Sequence, residues 1–305
     1  MLKFELTILG CSSATPTSDR NPTSQVLNVH ERLFLIDCGE AAQIQLRKFK
    51  IRFQKIDHIF ISHLHGDHYL GLVGLLGTMH LLGRTKKLHI YSPAGLQEIV
   101  DVQHKHSDTF LRFPLEFHVL ETENKKIIFE NDSVTVETIP LSHRVPCCGF
   151  LFREKEGVRK IITEKLAEHK IPVAYINKIK KGDDYKTSEG KIIPNDELTS
   201  PPTPARSFAY CSDTAFHLPL LEQIKNVDLL YHESTFASEM QERASETFHS
   251  TAAQAATIAK KAKAKQLIIG HFSARYNELD VLLNEAKEIF ENTLLAEEGK
   301  TYTIL

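Results

Sequence analysis

The 305-residue sequence has few cysteines, no long apolar run, no repeats and no excess of positive charge. The five cysteines, Cys11, Cys38, Cys147, Cys148 and Cys211, are odd in number, scattered and without CxxC spacing. That pattern argues against a disulfide framework or a thiolate metal site and suits buried thiols in a reducing compartment. No apolar stretch approaches the ~20 residues of a membrane-spanning helix. The opening MLKFELTILG reads as a strand rather than a secretory signal, so a cytoplasmic location without membrane contact is expected. A formal net charge of −2 excludes a generally basic surface, so any contact with nucleic acid has to be local. What remains is ordinary for a folded protein: 42% hydrophobic and 25% charged residues, with length enough for one large domain or two smaller ones.

The densest chemistry lies in SHLHGDHYLGL, Ser62 to Leu72, where His63, His65, Asp67 and His68 follow the apolar run Ile59, Phe60, Ile61. A short β-branched and aromatic run reads as a buried strand, and a strand end holds ligands more rigidly than a loose loop. Alternation puts His63 and His65 on one side, while Gly66 permits a turn that swings Asp67 and His68 toward a second point. Two adjacent metals are the expectation. Imidazole and carboxylate ligands suit zinc best, with manganese or iron as alternatives. The competing reading is a solvated polar turn.

Further polar residues recur at the ends of expected strands. His143 follows Val134–Ile139, and His271 follows Leu267–Ile269. Asp213 follows Phe208–Cys211, where a carboxylate with two oxygens can bridge two cations. Asp37 ends Leu33–Ile36 and either orients a ligand histidine or caps a helix over Ala41–Phe49. Other helices are expected over Tyr69–Leu82, with Gly71, Gly74 and Gly77 on one face allowing close packing, over Ala252–Lys263 capped by Ser250 or Thr251, and over Asn277–Asn292. His104 and His106 read as solvated or satisfied side chains. From about Arg153 to Arg206 the strand rhythm breaks, lysines recur and prolines cluster, as in a functional arm or a disordered insertion.

These motifs together resemble the short form of the tRNase Z family within the metallo-β-lactamase superfamily. HxHxDH is followed by Pro140–His143 in the place of PLxH, Ser212–Thr214 in that of (S/G)DT, Glu233–Phe236 in that of ExTF, and His249–Thr251 in that of HST. Phe272–Tyr276 similarly matches FSxRY. The resemblance implies an α/β sandwich of two mixed sheets packed face to face with helices outside, one domain over 1–305 with a tRNA-binding arm inserted at 153–206. It implies two zinc ions, the first held by His63, His65, His143 and Asp213, the second by Asp67, His68, Asp213 and His271. A metal pair ~3.5–4 Å apart lowers the pKa of water held between them. Asp67 is then the general base, and His249, supported by Glu233, the acid.

The implied substrate is precursor tRNA, cut to leave a tRNA 3′ hydroxyl and a trailer with a 5′ phosphate. Lys178, Lys180 and Lys181 of the arm, together with Arg275, are the expected substrate contacts. A homodimer is implied as well. The loop Pro16–Asn21 lacks the lysine of the family's PxKxRN, and Val173–Asn177 replace the Gly-Pro-rich core expected after Pro172. Two other readings compete: a small-molecule hydrolase of the same fold acting on phosphodiesters, sulfate esters or lactones, and a binding module that has lost its chemistry.

Overall fold

A computed structural model describes residues 2–305. Strands β1 (Phe4–Gly10), β2 (Ser24–Val29), β3 (Arg32–Cys38), β4 (Ile56–Phe60), β5 (Leu88–Ser92) and β6 (Leu115–Val119) build most of a first sheet. A second sheet begins with β7 (Ile127–Glu130), β8 (Val134–Pro140) and β9 (Cys148–Glu154). The short strands β10 (Lys160–Ile161), β11 (Tyr185–Lys186), β12 (Ile192–Ile193) and β13 (Thr199–Ser200) come next, outside both sheets. The chain then adds β14 (Ser207–Cys211), β15 (Leu229–Glu233), β16 (Gln266–Gly270) and β17 (Thr293–Leu295) to the second sheet, and β18 (Thr301–Thr303) returns to the first. Among the described residues the large sheets have seven strands each, in the orders β18-β1-β2-β3-β4-β5-β6 and β17-β16-β15-β14-β9-β8-β7. Both are mixed, antiparallel at β1–β3 and at β9/β14, parallel from β3 to β6 and from β14 to β17.

Side-chain alternation explains the layering. Phe34, Ile36 and Phe60 join Phe150, Phe152 and Phe208 in the core between the sheets. Leu35, Ile59 and Ile61 point the other way, against Leu46, Leu72, Leu75, Leu76 and Met79 of the covering helices. This is the expected two-sheet sandwich, covered by helices where its faces are apolar. All five cysteines are free and buried. Burial raises each thiol above its ordinary range, so none is a nucleophile at neutral pH.

Several boundaries differ from the sequence reading. The expected helix Tyr69–Leu82 is two, Gly66–Tyr69 and Leu72–Leu81. Gly71 lies between them because a Cβ there would stand 2.0 Å from the Gly39 carbonyl oxygen, whereas one on Gly77 would meet nothing. Close approach is therefore needed at the start of that glycine series and not at its end. The last helix is shorter than expected, Asp280–Ile289, although Leu282 and Ala286 are buried as its apolar stripe requires. Asp37 caps no helix: the residue before Ala42–Lys48 is Ala41, in a left-handed conformation. Thr251 caps Ala252–Ala262 in a reciprocal capping box with Gln254, while Ser250 Oγ donates to the Thr214 carbonyl.

Residues Glu154–Ala205 form a compact unit of their own. Ile171, Ile179, Tyr185, Ile193 and Leu198 make its small apolar core, and the ladders β10/β13 and β11/β12 brace it. The disordered alternative for this stretch does not hold.

Candidate metal centre

The strand-end residues converge. His63 and His65 follow β4, His143 follows β8, Asp213 follows β14 and His271 follows β16. Two groups of potential ligands result, His63, His65, His143 and Asp213 in one, and Asp67, His68 and His271 in the other. Asp213 reaches both. Its Oδ2 lies 3.5 Å from His63 Nε2 and 3.8 Å from His143 Nε2, while its Oδ1 lies 3.3 Å from His68 Nε2 and 3.2 Å from His271 Nε2. In the first group His65 Nδ1 stands 3.0 Å from His63 Nε2 and 3.2 Å from His143 Nε2. In the second, Asp67 Oδ2 is 3.4 Å from both His68 Nε2 and His271 Nε2, which are 3.3 Å apart. Ligand atoms around a four-coordinate ion with bonds of ~2.0–2.2 Å stand ~3.3–3.6 Å apart, so both groups fit a zinc-sized cation.

Electrostatics point the same way. Asp67 and Asp213 are almost wholly buried as side chains, and among the described residues their ion-pair partners are all imidazoles. Burial alone pushes the Asp213 carboxyl up, but His271, His68 and His63 hold it well below the usual carboxylate range. Asp67 likewise stays ionised, with burial outweighed by His68 and His271. Burial drives His63 far down, with His68 beside it adding to the effect, which leaves it neutral and able to ligate. Buried negative charge without Lys or Arg calls for a cation.

An outer layer of hydrogen bonds sets the rings. Asp37 Oδ2 accepts from His68 Nδ1 at 2.8 Å, Tyr210 Oη at 2.6 Å and Ser62 Oγ at 2.9 Å. His63 Nδ1 faces Ser62 Oγ at 3.0 Å, His143 Nδ1 donates to the Phe248 carbonyl at 3.0 Å, and His271 Nδ1 meets Thr235 Oγ1 at 2.9 Å. Each bond at Nδ1 leaves Nε2 for the centre. Asp37 and His271 have φ of 52° and 60°, a left-handed backbone that Asp and His tolerate better than most residues and that turns the chain at the strand end.

Glu233, fully buried at the end of β15, accepts from the backbone N–H of Thr214, Thr235 and Ser250 and from His249 Nδ1 at 2.9 Å. Burial disfavours a charged His249, yet the adjacent Glu233 carboxylate outweighs it and raises the imidazole to about 9. His249 opens onto a cavity of about 580 Å³ lined by His65, Asp67, His143, Asp213 and His271, with the exposed Arg144 and Arg243 at its wall.

Arg275 is exposed and stacks over the Phe236 ring at 5.2 Å. Lys178, Lys180 and Lys181 belong to the compact unit Glu154–Ala205, at and just after the helix Ile176–Lys180; Lys178 and Lys181 are exposed, Lys180 half-buried. In the loop Pro16–Asn21, Arg20 is spent internally on the Tyr276 carbonyl at 2.7 Å and Asn21 on Glu298.

Sequence reasoning missed Ser62, Thr235, Tyr210, Arg144, Arg243 and the Ala14 N–H that donates to Asp67 Oδ2 at 2.8 Å. Ser62 and Arg144 adjoin His63 and His143 and could have been suspected. A backbone donor in a small-residue turn carries no sequence signal.

Comparison with known proteins adds full-length likeness. A family model described as Anti-Pycsar protein Apyc1 matches residues 4–163. Proteins named ribonuclease Z are similar from end to end: that of Bacteroides thetaiotaomicron is 54% identical over 304 residues, covering 100% of this chain and 96% of the relative, and that of Cytophaga hutchinsonii is 48% identical over 304 residues, covering 99% and 97%. Among solved structures, human tRNase Z, short form, matches with a TM-score of 0.71 at 26% identity over 99% of both chains. The metallo-β-lactamase fold protein YhfI of Bacillus subtilis matches at 0.69 and 18% identity, over 99% of this chain and 100% of that one, and shares the fold.

Proposed function

The chain belongs to the ribonuclease Z family, and its first half also to the family of the Apyc1 model; from that premise we propose how it acts. It is a metal-dependent endoribonuclease that removes 3′ trailers from tRNA precursors by hydrolysing a phosphodiester bond. The observation that carries the mechanism is the split of Asp213 between two ligand groups, with His249 charged beside them.

We assign His63, His65, His143 and Asp213 to one zinc ion, and Asp67, His68, Asp213 and His271 to a second. Bound divalent cations supply positive charge to the phosphodiester oxygens and acidify water. Asp67, ionised and fixed by the Ala14 N–H, takes the proton of the attacking water. The water oxygen bonds to phosphorus as the bond from phosphorus to the 3′ oxygen breaks, so the trailer keeps a 5′ phosphate. His249 gives its proton to the departing 3′ oxygen. Glu233, held by three backbone N–H groups, keeps that imidazole charged and turned toward the cavity. Arg144 and Arg243 are placed to meet phosphate oxygens.

The unit Glu154–Ala205 is the tRNA-binding arm in this reading, with Lys178, Lys180 and Lys181 meeting the RNA backbone and the exposed Arg275 a further contact. No helix among the described residues is long and apolar enough to cross a membrane. Five free, buried thiols support a cytoplasmic site of action, and a groove of Tyr69, Leu70, Val73, Ile99 and Val102 offers an apolar surface for a homodimer.

The test is cleavage of a 3′-extended tRNA precursor beside bis(p-nitrophenyl) phosphate and a lactone. A cut at the trailer junction with a 5′-phosphorylated product supports the reading. Turnover of the lactone alone would overturn it.

A further inference from the structure

Outside the main centre, three ligand-type side chains meet at the edge of the first sheet. Glu116 and His118 are two apart on the edge strand β6 and so project from one face, and His89 sits directly across from Glu116 on β5. His89 Nδ1 lies 3.0 Å from His118 Nε2, and Glu116 Oε1 lies 3.9 Å from the first and 3.6 Å from the second.

We propose that His89, Glu116 and His118 form an additional binding site for a zinc-class divalent ion, separate from the nuclease centre. A point equidistant from the three donor atoms lies about 2.1 Å from each, within the ~2.0–2.2 Å range of zinc bonds to imidazole and carboxylate. The rings are already oriented: His89 stacks on His58 with centroids 4.9 Å apart, and His118 stacks on Tyr91 at 4.4 Å. Lys87 Nζ binds the other carboxylate oxygen, Oε2, at 2.6 Å, which turns Oε1 toward the imidazoles. All three ligands are partly solvent-accessible, so an ion can enter and a water can complete four-coordination. Such an ion ties the edge strand to its neighbour. The competing arrangement is a plain hydrogen bond between two imidazoles. It accounts for the 3.0 Å contact but leaves Glu116 Oε1, which Lys87 turns inward, at 3.6 and 3.9 Å from the two rings and beyond hydrogen-bond reach of either.

The proposal is independent of the nuclease reading and is tested on the full chain. Dialysis against buffered free Zn²⁺ followed by elemental analysis should give one zinc per chain more for the wild type than for His89→Ala/His118→Ala, with precursor cleavage unchanged. Glu116→Gln, a change at a partly exposed edge position that leaves both histidines in place, should weaken the additional equivalent at least tenfold. Anomalous scattering at the zinc edge from wild-type crystals grown with Zn²⁺ should place a peak among the three donor atoms. Equal zinc content in wild type and double variant at every free-zinc concentration, or no peak at that position, would overturn the site.

Discussion

Asp37 and His68 stand 31 residues apart in the chain and meet at 2.8 Å with neither side chain exposed. The carboxylate accepts a hydrogen bond from the imidazole Nδ1–H, which commits Nε2 to the side where Asp67, Asp213 and His271 gather. Asp37→Asn keeps the shape but removes the charge. Metal affinity should fall roughly 10–100-fold, the usual scale for losing such an orienting partner. Competition against a chelator measures it, and an unchanged affinity would make Asp37 a packing residue only.

Asp213→Ala should behave differently from any single histidine change. Because its two oxygens serve different ligand groups, both ions should be lost together, with cleavage down on the order of 10³-fold or more. His143→Ala removes a member of the first group alone. Elemental analysis of the two variants distinguishes the cases, and retention of one full equivalent by Asp213→Ala would contradict the bridge.

The pH profile reports on His249. A general acid works only while protonated, and with its imidazole raised to about 9 the rate should hold through neutrality and fall as pH climbs past that value. Glu233→Gln removes the largest of the charges that raise it and leaves burial, which pulls it down, opposed only by the weaker effects of Asp213 and Asp67. The alkaline limb should then move to lower pH, with the rate above neutrality falling several-fold. A limb that stays in place in the variant would take the acid role from His249.

Asp67→Ala should abolish cleavage while precursor tRNA affinity changes only a few-fold. Single-turnover rates and filter binding separate the two quantities. A near-normal rate would remove Asp67 from the base role.

The lysines of the second unit are best tested by substitution, since cutting out residues 170–186 also removes Ile171, Ile179 and Tyr185 from its core. Lys178→Ala/Lys180→Ala/Lys181→Ala should raise KM for precursor tRNA about tenfold and soften its salt dependence, because phosphate contacts release counterions. Hydrolysis of bis(p-nitrophenyl) phosphate should stay the same. Equal loss on both substrates would give the segment a structural role.

Much of the site was legible because its chemistry comes from side chains at strand ends. His63, His65, Asp67 and His68 announce themselves by spacing, and Asp213 and His271 by following β-rich runs. The break at Gly71 was hidden, since it answers to the Gly39 carbonyl, which only the folded chain brings near. The internal role of Arg20, which holds the Tyr276 carbonyl across 256 residues of chain, was equally hidden.

The order of residue types along the chain determined which atoms could ligate, which strands carry them and that the turn after β4 holds four of them. Tertiary structure alone decided which oxygen of Asp213 faces which ligand group, that Asp37 orients His68 rather than capping a helix, and that His89, Glu116 and His118 meet at one edge. The reason is physical: spacing along a strand sets which face a side chain takes, but distances between donors on different strands follow from sheet order, register and packing, which no local pattern encodes.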